Sequence, residues 1–274
     1  MMDRRFLAYN ERVAAFDLKP RINHHNFVQP QQYQIALPLC DLRDRPNGER
    51  QRQLLYGATV DVFEDVEGWA FVRQQSDGYV GYLKTEALGH QPPPTHYVTN
   101  VLTHCYLDAN FKSPDVKTIP MWSKVRVHEC HDQFAKTDMG WIPLLHLKPL
   151  REVAQDIVTE AVKFLGAPYL WGGNSVLGVD CSGLVQVACS VCGTDAPADS
   201  DVQKAKLGTD VHDVPKRGDL LFWKDHVAIV HDANHILHAN AHAMAVTIEP
   251  TNDAIKRIEN SGDGPITAHK RLKG

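Results

Sequence analysis

GVDCSGLVQVACSVCG, residues 178–193, places three cysteines in one short segment that otherwise reads as a helix. Gly178 breaks the chain and Asp180 is a good N-cap, while Leu184, Val185, Ala188 and Val191 recur at helical spacing, so the helix starts next to Cys181. A cysteine nucleophile works as its thiolate, and the first turn of a helix favours negative charge through its unpaired amides. Those amides also suit the oxyanion that forms when a thiolate attacks a carbonyl. Cys181 is therefore the candidate nucleophile. Cys189 and Cys192 sit two to three turns further along, where the dipole advantage is gone. They spell C-x-x-C, yet residues three apart share one helix face and no second pair with metal-type spacing follows, so they read as packing.

Working outward, REVAQDIVTEAVKFLG (151–166) carries Val153, Ile157, Ala161, Phe164 and Leu165 at helical spacing and closes on Gly166. After residue 193 come DLLFW, HVAIVHD, HILHANA and AVTIEP, which alternate as strands do. Helices first and an antiparallel sheet after make residues 149–274 an α+β domain. A nucleophile needs a base and a group that orients the base, usually distant in sequence. His226 opens one strand run, and His238 lies twelve residues on, a distance that a tight hairpin brings back alongside. Cys181, His226 and His238 thus form a plausible triad, with Asn240 as an alternative orienter.

From Gln34 to Leu88, short apolar-alternating runs separated by turn signals predict a small antiparallel barrel of about five strands. GHQPPPTH (89–96) follows, where consecutive prolines stiffen the chain and mark a boundary. Residues 97–147 repeat the grammar weakly, and their closing GWIPLLHL echoes GYVGYLKTEAL of the first unit. The organisation expected is an N-terminal extension (1–28), two small all-β SH3-like barrels (29–90 and 96–148) and the α+β domain (149–274).

A net charge of −4 and pI near 6.4, with no Lys/Arg block, leave no basic field for nucleic acid. Charges scattered through MMDRRFLAYNERVAAFDLKPR leave no signal-peptide core, and no later stretch approaches a membrane span, so a cytoplasmic protein is expected. Six cysteines are too sparse for a disulfide scaffold and read as thiols.

The blocks PYLWGG, DCSGLVQ, RGDLLFW, HVAIV and LHANA, in this order, resemble the NlpC/P60 cysteine peptidases, a reduced papain-like fold with a Cys-His-His site. DLR, QLLYG, GWAFV and DGYVGYL upstream are similar to the bacterial SH3 (SH3b) modules of the dipeptidyl-peptidase VI branch of that family. The resemblance implies a γ-D-glutamyl-L-diamino acid endopeptidase acting on murein peptides with a free N-terminal L-alanine, in wall-peptide recycling, with no metal or cofactor. An exported wall endopeptidase anchored by its SH3b modules, or a non-catalytic wall-peptide binder, are the other readings. By the same resemblance Cys181 is the nucleophile, His226 the base and His238 its orienter. Trp171, Asp180, Ser182, Asp199 and Ser200 correspond to the wall of the substrate pocket, and Tyr79 or Tyr82 to a tyrosine that closes it. A carboxylate such as Asp180 or Asp199 facing an ammonium would reward the free amine. Asp180 also suffices as an N-cap, Trp171 as core packing, and Asp199 with Ser200 as caps of a helix over DSDVQKAKL. This chain departs from the branch at Ala198, where an arginine is usual, and at Ala58, where an acidic residue is common.

Overall fold

The computed structural model describes residues 3–272, which form two compact units. One holds residues 3–98 and 102–150, the other residues 99–101 and 151–272.

In the N-terminal unit, residues 31–89 build a seven-stranded antiparallel sheet in the order 50–55, 39–43, 80–84, 69–74, 59–66, 31–35, 88–89. The run YQIALPLCDLR, which reads as one strand, is two: Gln31–Ile35 and Leu39–Arg43 are separated around Pro38, whose nitrogen has no proton to give a ladder. Residues 3–28 lie against this sheet, with Leu7, Val13 and Leu18 buried together with Phe63 and Phe71. Within residues 96–149 the strands divide into a five-stranded sheet and a three-stranded sheet. Val98, Cys105, Ile119, Val125, Ala135 and Ile142 fill the core of this part. The sequence echo has a structural counterpart. Val80–Lys84 runs into a 3-10 turn at Thr85–Ala87 and a short strand at Leu88–Gly89, and Gly140–Pro143 runs into a 3-10 turn at Leu144–His146 and the strand Leu147–Pro149.

The C-terminal unit opens with helix α1 (Ile157–Val162), shorter than the apolar spacing predicts. Asp156 fixes the start: its carboxylate accepts from the amides of Val158 and Thr159 and is held by Arg217. Val153 and Leu165, counted on the inward stripe from sequence, fall outside the helix and are exposed. Helix α2 (Cys181–Val191) is the central helix, buried along nearly its whole length, and α3 (Ser200–Lys206) follows it. A six-stranded antiparallel sheet completes the unit in the order 209–210, 268–271, 220–222, 227–230, 235–240, 245–250. Sequence periodicity assigns no element beyond Pro250, yet that tail supplies helix α4 (Thr251–Ile258) and the strand Ala268–Arg271, which pairs with Leu220–Phe222 inside the sheet. Ala254 and Ile258 of α4 are buried with Trp223, Ala228, Val230 and Ile236. The alternation of side chains along a strand then sends Val227 and Ile229 to the opposite face. Among the described residues no helix is long and apolar enough to cross a membrane.

Candidate active site

Asp180 sets the position of Cys181. Its carboxylate accepts from the amides of Gly183 and Gly172, each at 2.7 Å, and from the Ser182 hydroxyl at 3.1 Å. It caps α2 and at the same time pins the loop Pro168–Gly173 to the helix start. The approach is close enough to dictate two glycines. A Cβ on Gly183 would stand 2.2 Å from the Gly173 carbonyl oxygen, and one on Gly173 would stand 2.3 Å from that of Gly178. Buried Gln203 of α3 ties the next segment in, donating to the carbonyls of Ser182 and Pro197 at 2.8 Å each.

Cys181 is buried, and the backbone N–H groups of Val227, Ser182 and Cys181 itself are directed at its thiol. Burial nevertheless pushes the thiol up to about 12, and the Asp180 charge pushes the same way. The helix start does not give a resting thiolate here, because desolvation outweighs the amides. The negative charge has to be made together with a positive one, by transfer of the proton to a base.

His226, at the entry of the strand Val227–Val230, is the candidate base by position, since the amide of the next residue reaches the thiol. The hairpin pairs Ile229 with Leu237 and Val230 with Ile236, so His226 and His238 fall on one face of the sheet. His226 Nε2 and His238 Nδ1 are 2.7 Å apart. His238 Nε2 in turn lies 2.5 Å from Glu249 Oε1, and Arg257 of α4 donates to the same carboxylate oxygen. Burial, with the Arg257 charge adding to it, holds His226 down to about 3, so the ring is neutral and able to accept a proton.

Asn240 does something else: its Nδ2 donates to Thr247 Oγ1 and its Oδ1 accepts from the Ala243 amide, which closes the turn of the following hairpin. Among the described residues no group of three His, Cys, Asp or Glu side chains is arranged to hold a metal.

The comparisons with known proteins agree with one another. Residues 166–258 match the NlpC/P60 family, and residues 42–88 match the bacterial dipeptidyl-peptidase Sh3 domain. This chain carries an NlpC/P60 peptidase domain. It is 26% identical over 269 residues to the gamma-D-glutamyl-L-lysine dipeptidyl-peptidase of Bacillus subtilis, covering 89% of this chain and 88% of that one. It is 24% identical over 229 residues to dipeptidyl-peptidase 6 of Lysinibacillus sphaericus, covering 73% and 84%. A crystal structure of an NlpC/P60 family protein from Bacillus cereus superposes with a TM-score of 0.76 at 18% identity, over 88% of this chain and 99% of that one, a likeness of fold.

Around Cys181 in the NlpC/P60 domain the remaining site candidates are placed as follows. Trp171 is 66% exposed and so is not core packing. Ser182 is buried against Asp180. Asp199 occupies the N-cap position of α3, but its side chain makes no capping bond. Its charge reaches Asp180 instead, whose carboxyl is pushed up by burial first and by Asp199 in addition. Ser200 opens α3. Tyr79 and Tyr82 belong to the N-terminal unit. Tyr79 is buried with its ring edge-on to Phe6 and under Arg52, and the Tyr82 hydroxyl accepts from Asn10. Ala198 is buried, and Ala58 stands just before the strand Thr59–Val66.

Two residues of the site are absent from the sequence reading. Tyr169, in PYLWGG, is pushed up by burial and then by the Cys181 and Asp180 charges, so its hydroxyl lies within electrostatic reach of Cys181. A tyrosine beside a tryptophan and two glycines in a loop was the available signal. Glu249 is the other. It stands on the polar face of AVTIEP, and nothing in the sequence gives the register that brings that face to His238.

Proposed function

We propose that this chain is a cysteine peptidase that hydrolyses the bond between γ-D-glutamate and a diamino acid in murein peptides whose N-terminal L-alanine is free. One observation carries the reading: a buried cysteine at a helix start is ringed by backbone amides, one of them from the residue that follows a neutral histidine, with the carboxylate of Asp180 beside it and that of Asp199 within electrostatic reach of Asp180. Asp180 is buried and the Asp199 charge acts on it unfavourably, and a cation between them removes that cost. A substrate ammonium is such a cation. The names of the relatives, which include a gamma-D-glutamyl-L-lysine dipeptidyl-peptidase, support the same bond.

In this proposal the thiol S–H bond breaks and its proton goes to His226 Nδ1, the nitrogen not engaged by His238. The sulfur attacks the γ-glutamyl carbonyl, and the amides at the start of α2 hold the oxyanion. The departing amine takes the proton from His226, and water then releases the acyl group. Trp171, Ser182 and Ser200 line the bound peptide. Because L-alanine attached to a glycan has no free amine, a site built for an ammonium favours peptides already detached from the wall, and this assigns the chain to recycling. We read residues 29–90 and 96–148 as two SH3-like modules that precede the peptidase.

The test is release of L-Ala-γ-D-Glu from L-Ala-γ-D-Glu-diamino acid tripeptides, with intact murein and the N-acetylated tripeptide alongside. Cleavage of the free tripeptide alone is the expected outcome. Equal cleavage of the acetylated peptide removes the amine pocket, and preference for intact murein removes the recycling role.

A further inference from the structure

His238 is a fully buried ring with both nitrogens engaged, Nδ1 toward His226 at 2.7 Å and Nε2 toward Glu249 at 2.5 Å. A neutral imidazole has one proton, so such a ring donates at one nitrogen and accepts at the other. Glu249 decides which. The bond from His238 holds its carboxyl below the usual range, against the cost of burial, and Arg257 adds to this, so it is an ionised group that only accepts. The His238 proton is therefore on Nε2 and its Nδ1 accepts. His226 must then donate from its own Nε2, which leaves Nδ1 with the lone pair needed by the thiol.

Three elements place this chain of groups. The strands 235–240 and 245–250 pair His238 with Thr247 and Ile236 with Glu249, so Glu249 is the diagonal same-face neighbour of His238. Helix α4 covers that face through Ala254 and Ile258, and Arg257, between them on the helix, reaches the carboxylate. The charged and titratable groups around His238 in these contacts are His226, Glu249 and Arg257.

We propose that Glu249, clamped by Arg257, is a positioning residue that fixes the tautomers of both histidines and balances the charge on His226 when it receives the thiol proton. No proton travels down the chain: His238 stays neutral and Glu249 stays ionised while the imidazolium exists. Without the carboxylate both rings can invert, with His238 donating from Nδ1 and His226 carrying its proton on the nitrogen that should accept one.

The inference rests on the peptidase reading of Cys181 and His226, and its test keeps the two apart. Side-chain nitrogen NMR of the full chain is expected to show both rings protonated at Nε2. Glu249→Gln keeps an acceptor without the charge, and should retain the tautomers while lowering kcat several-fold. Glu249→Leu removes the acceptor, and should lose the fixed tautomers and lower kcat by about 10- to 100-fold with KM little changed. Alkylation of Cys181 by iodoacetamide, which needs no peptide substrate, should slow in the same order. Glu249→Leu with wild-type tautomers and a wild-type alkylation rate overturns the proposal. If Glu249→Leu does not fold, Glu249→Gln and Arg257→Met carry the test, and unchanged kcat and alkylation in both overturn it. A wild type that shows the fixed tautomers and the Glu249-dependent alkylation but cleaves no murein peptide leaves the role of Glu249 standing and removes the substrate reading.

Discussion

The two ends of helix α2 hold cysteines that are alike in isolation. Cys181 and Cys189 are both buried, and burial pushes both thiols up to about 12. Their surroundings differ. Cys189, in mid-core, has only the neighbouring Cys192 thiol adding to the effect of burial. Cys181 has three backbone amides at its sulfur, and one of them belongs to the residue after His226, a neutral imidazole held by a second ring, a carboxylate and a guanidinium. The contrast teaches that resting acidity does not tell the two cysteines apart. What does is a place for the proton to go and a cradle for the charge left behind.

The largest effect that can break this comparison is the loss of one sulfur or the other. Cys181→Ala should reduce tripeptide cleavage by about 10⁴-fold or more, whereas Cys189→Ala should leave kcat within about 2-fold, as read in a single coupled assay of dipeptide release. Comparable losses in both variants would erase the distinction.

A smaller effect sharpens the helix start. Asp180→Ala strips the acceptor from two amides and a hydroxyl and should cost about 2 kcal/mol in urea unfolding, with a loss of activity that Cys189→Ala does not share. Gly183→Ala drives a methyl into the Gly173 carbonyl and should displace the 168–173 loop, seen as a drop in kcat/KM of about 10-fold.

The pH dependence separates the ends more gently. His226 has a folded value near 3 against an ordinary 6.5, so between these the unfolded chain binds more protons than the folded one. Stability should then rise with pH through that window and fall on acidification, and His226→Asn should flatten that part of the slope in urea titrations at stepped pH. In the same window the base remains neutral, so kcat/KM should hold level from about pH 8 to about pH 5 before its acid limb appears. An acid limb centred near 6.5 would mean that burial does not govern the ring.

Much of this architecture is legible in the sequence because its signals are local. The start of α2 follows from Asp180 and the apolar spacing behind it, and the strands of the last sheet follow from alternation in DLLFW, HVAIV, HILHANA and AVTIEP. The hairpin between His226 and His238 follows from their spacing. What is not legible depends on register or on competition between forces. Glu249 meets His238 only because the turn at 241–244 sets the pairing of two strands, and Arg257 reaches it only because α4 lies on that face. The late start of α1 reflects Asp156 winning over an apolar stripe that begins before it, at Val153. The raised thiol reflects desolvation winning over the helix dipole, a balance that depends on depth of burial.

The strand Ala268–Arg271 lies inside the sheet although it comes last in the order of the chain, after α4 has delivered Arg257. During synthesis the N-terminal unit emerges first, and several seconds of translation separate Cys181 from the strand Ala268–Arg271 of the sheet that carries both histidines. A nascent chain halted before residue 268 would hold Cys181 and both histidines without the strand that pairs with Leu220–Phe222 and with Thr209–Asp210. The order of the elements thus leaves the sheet that carries His226 and His238 without one of its inner strands until residues 268–271 have been made, a form of timing written into topology.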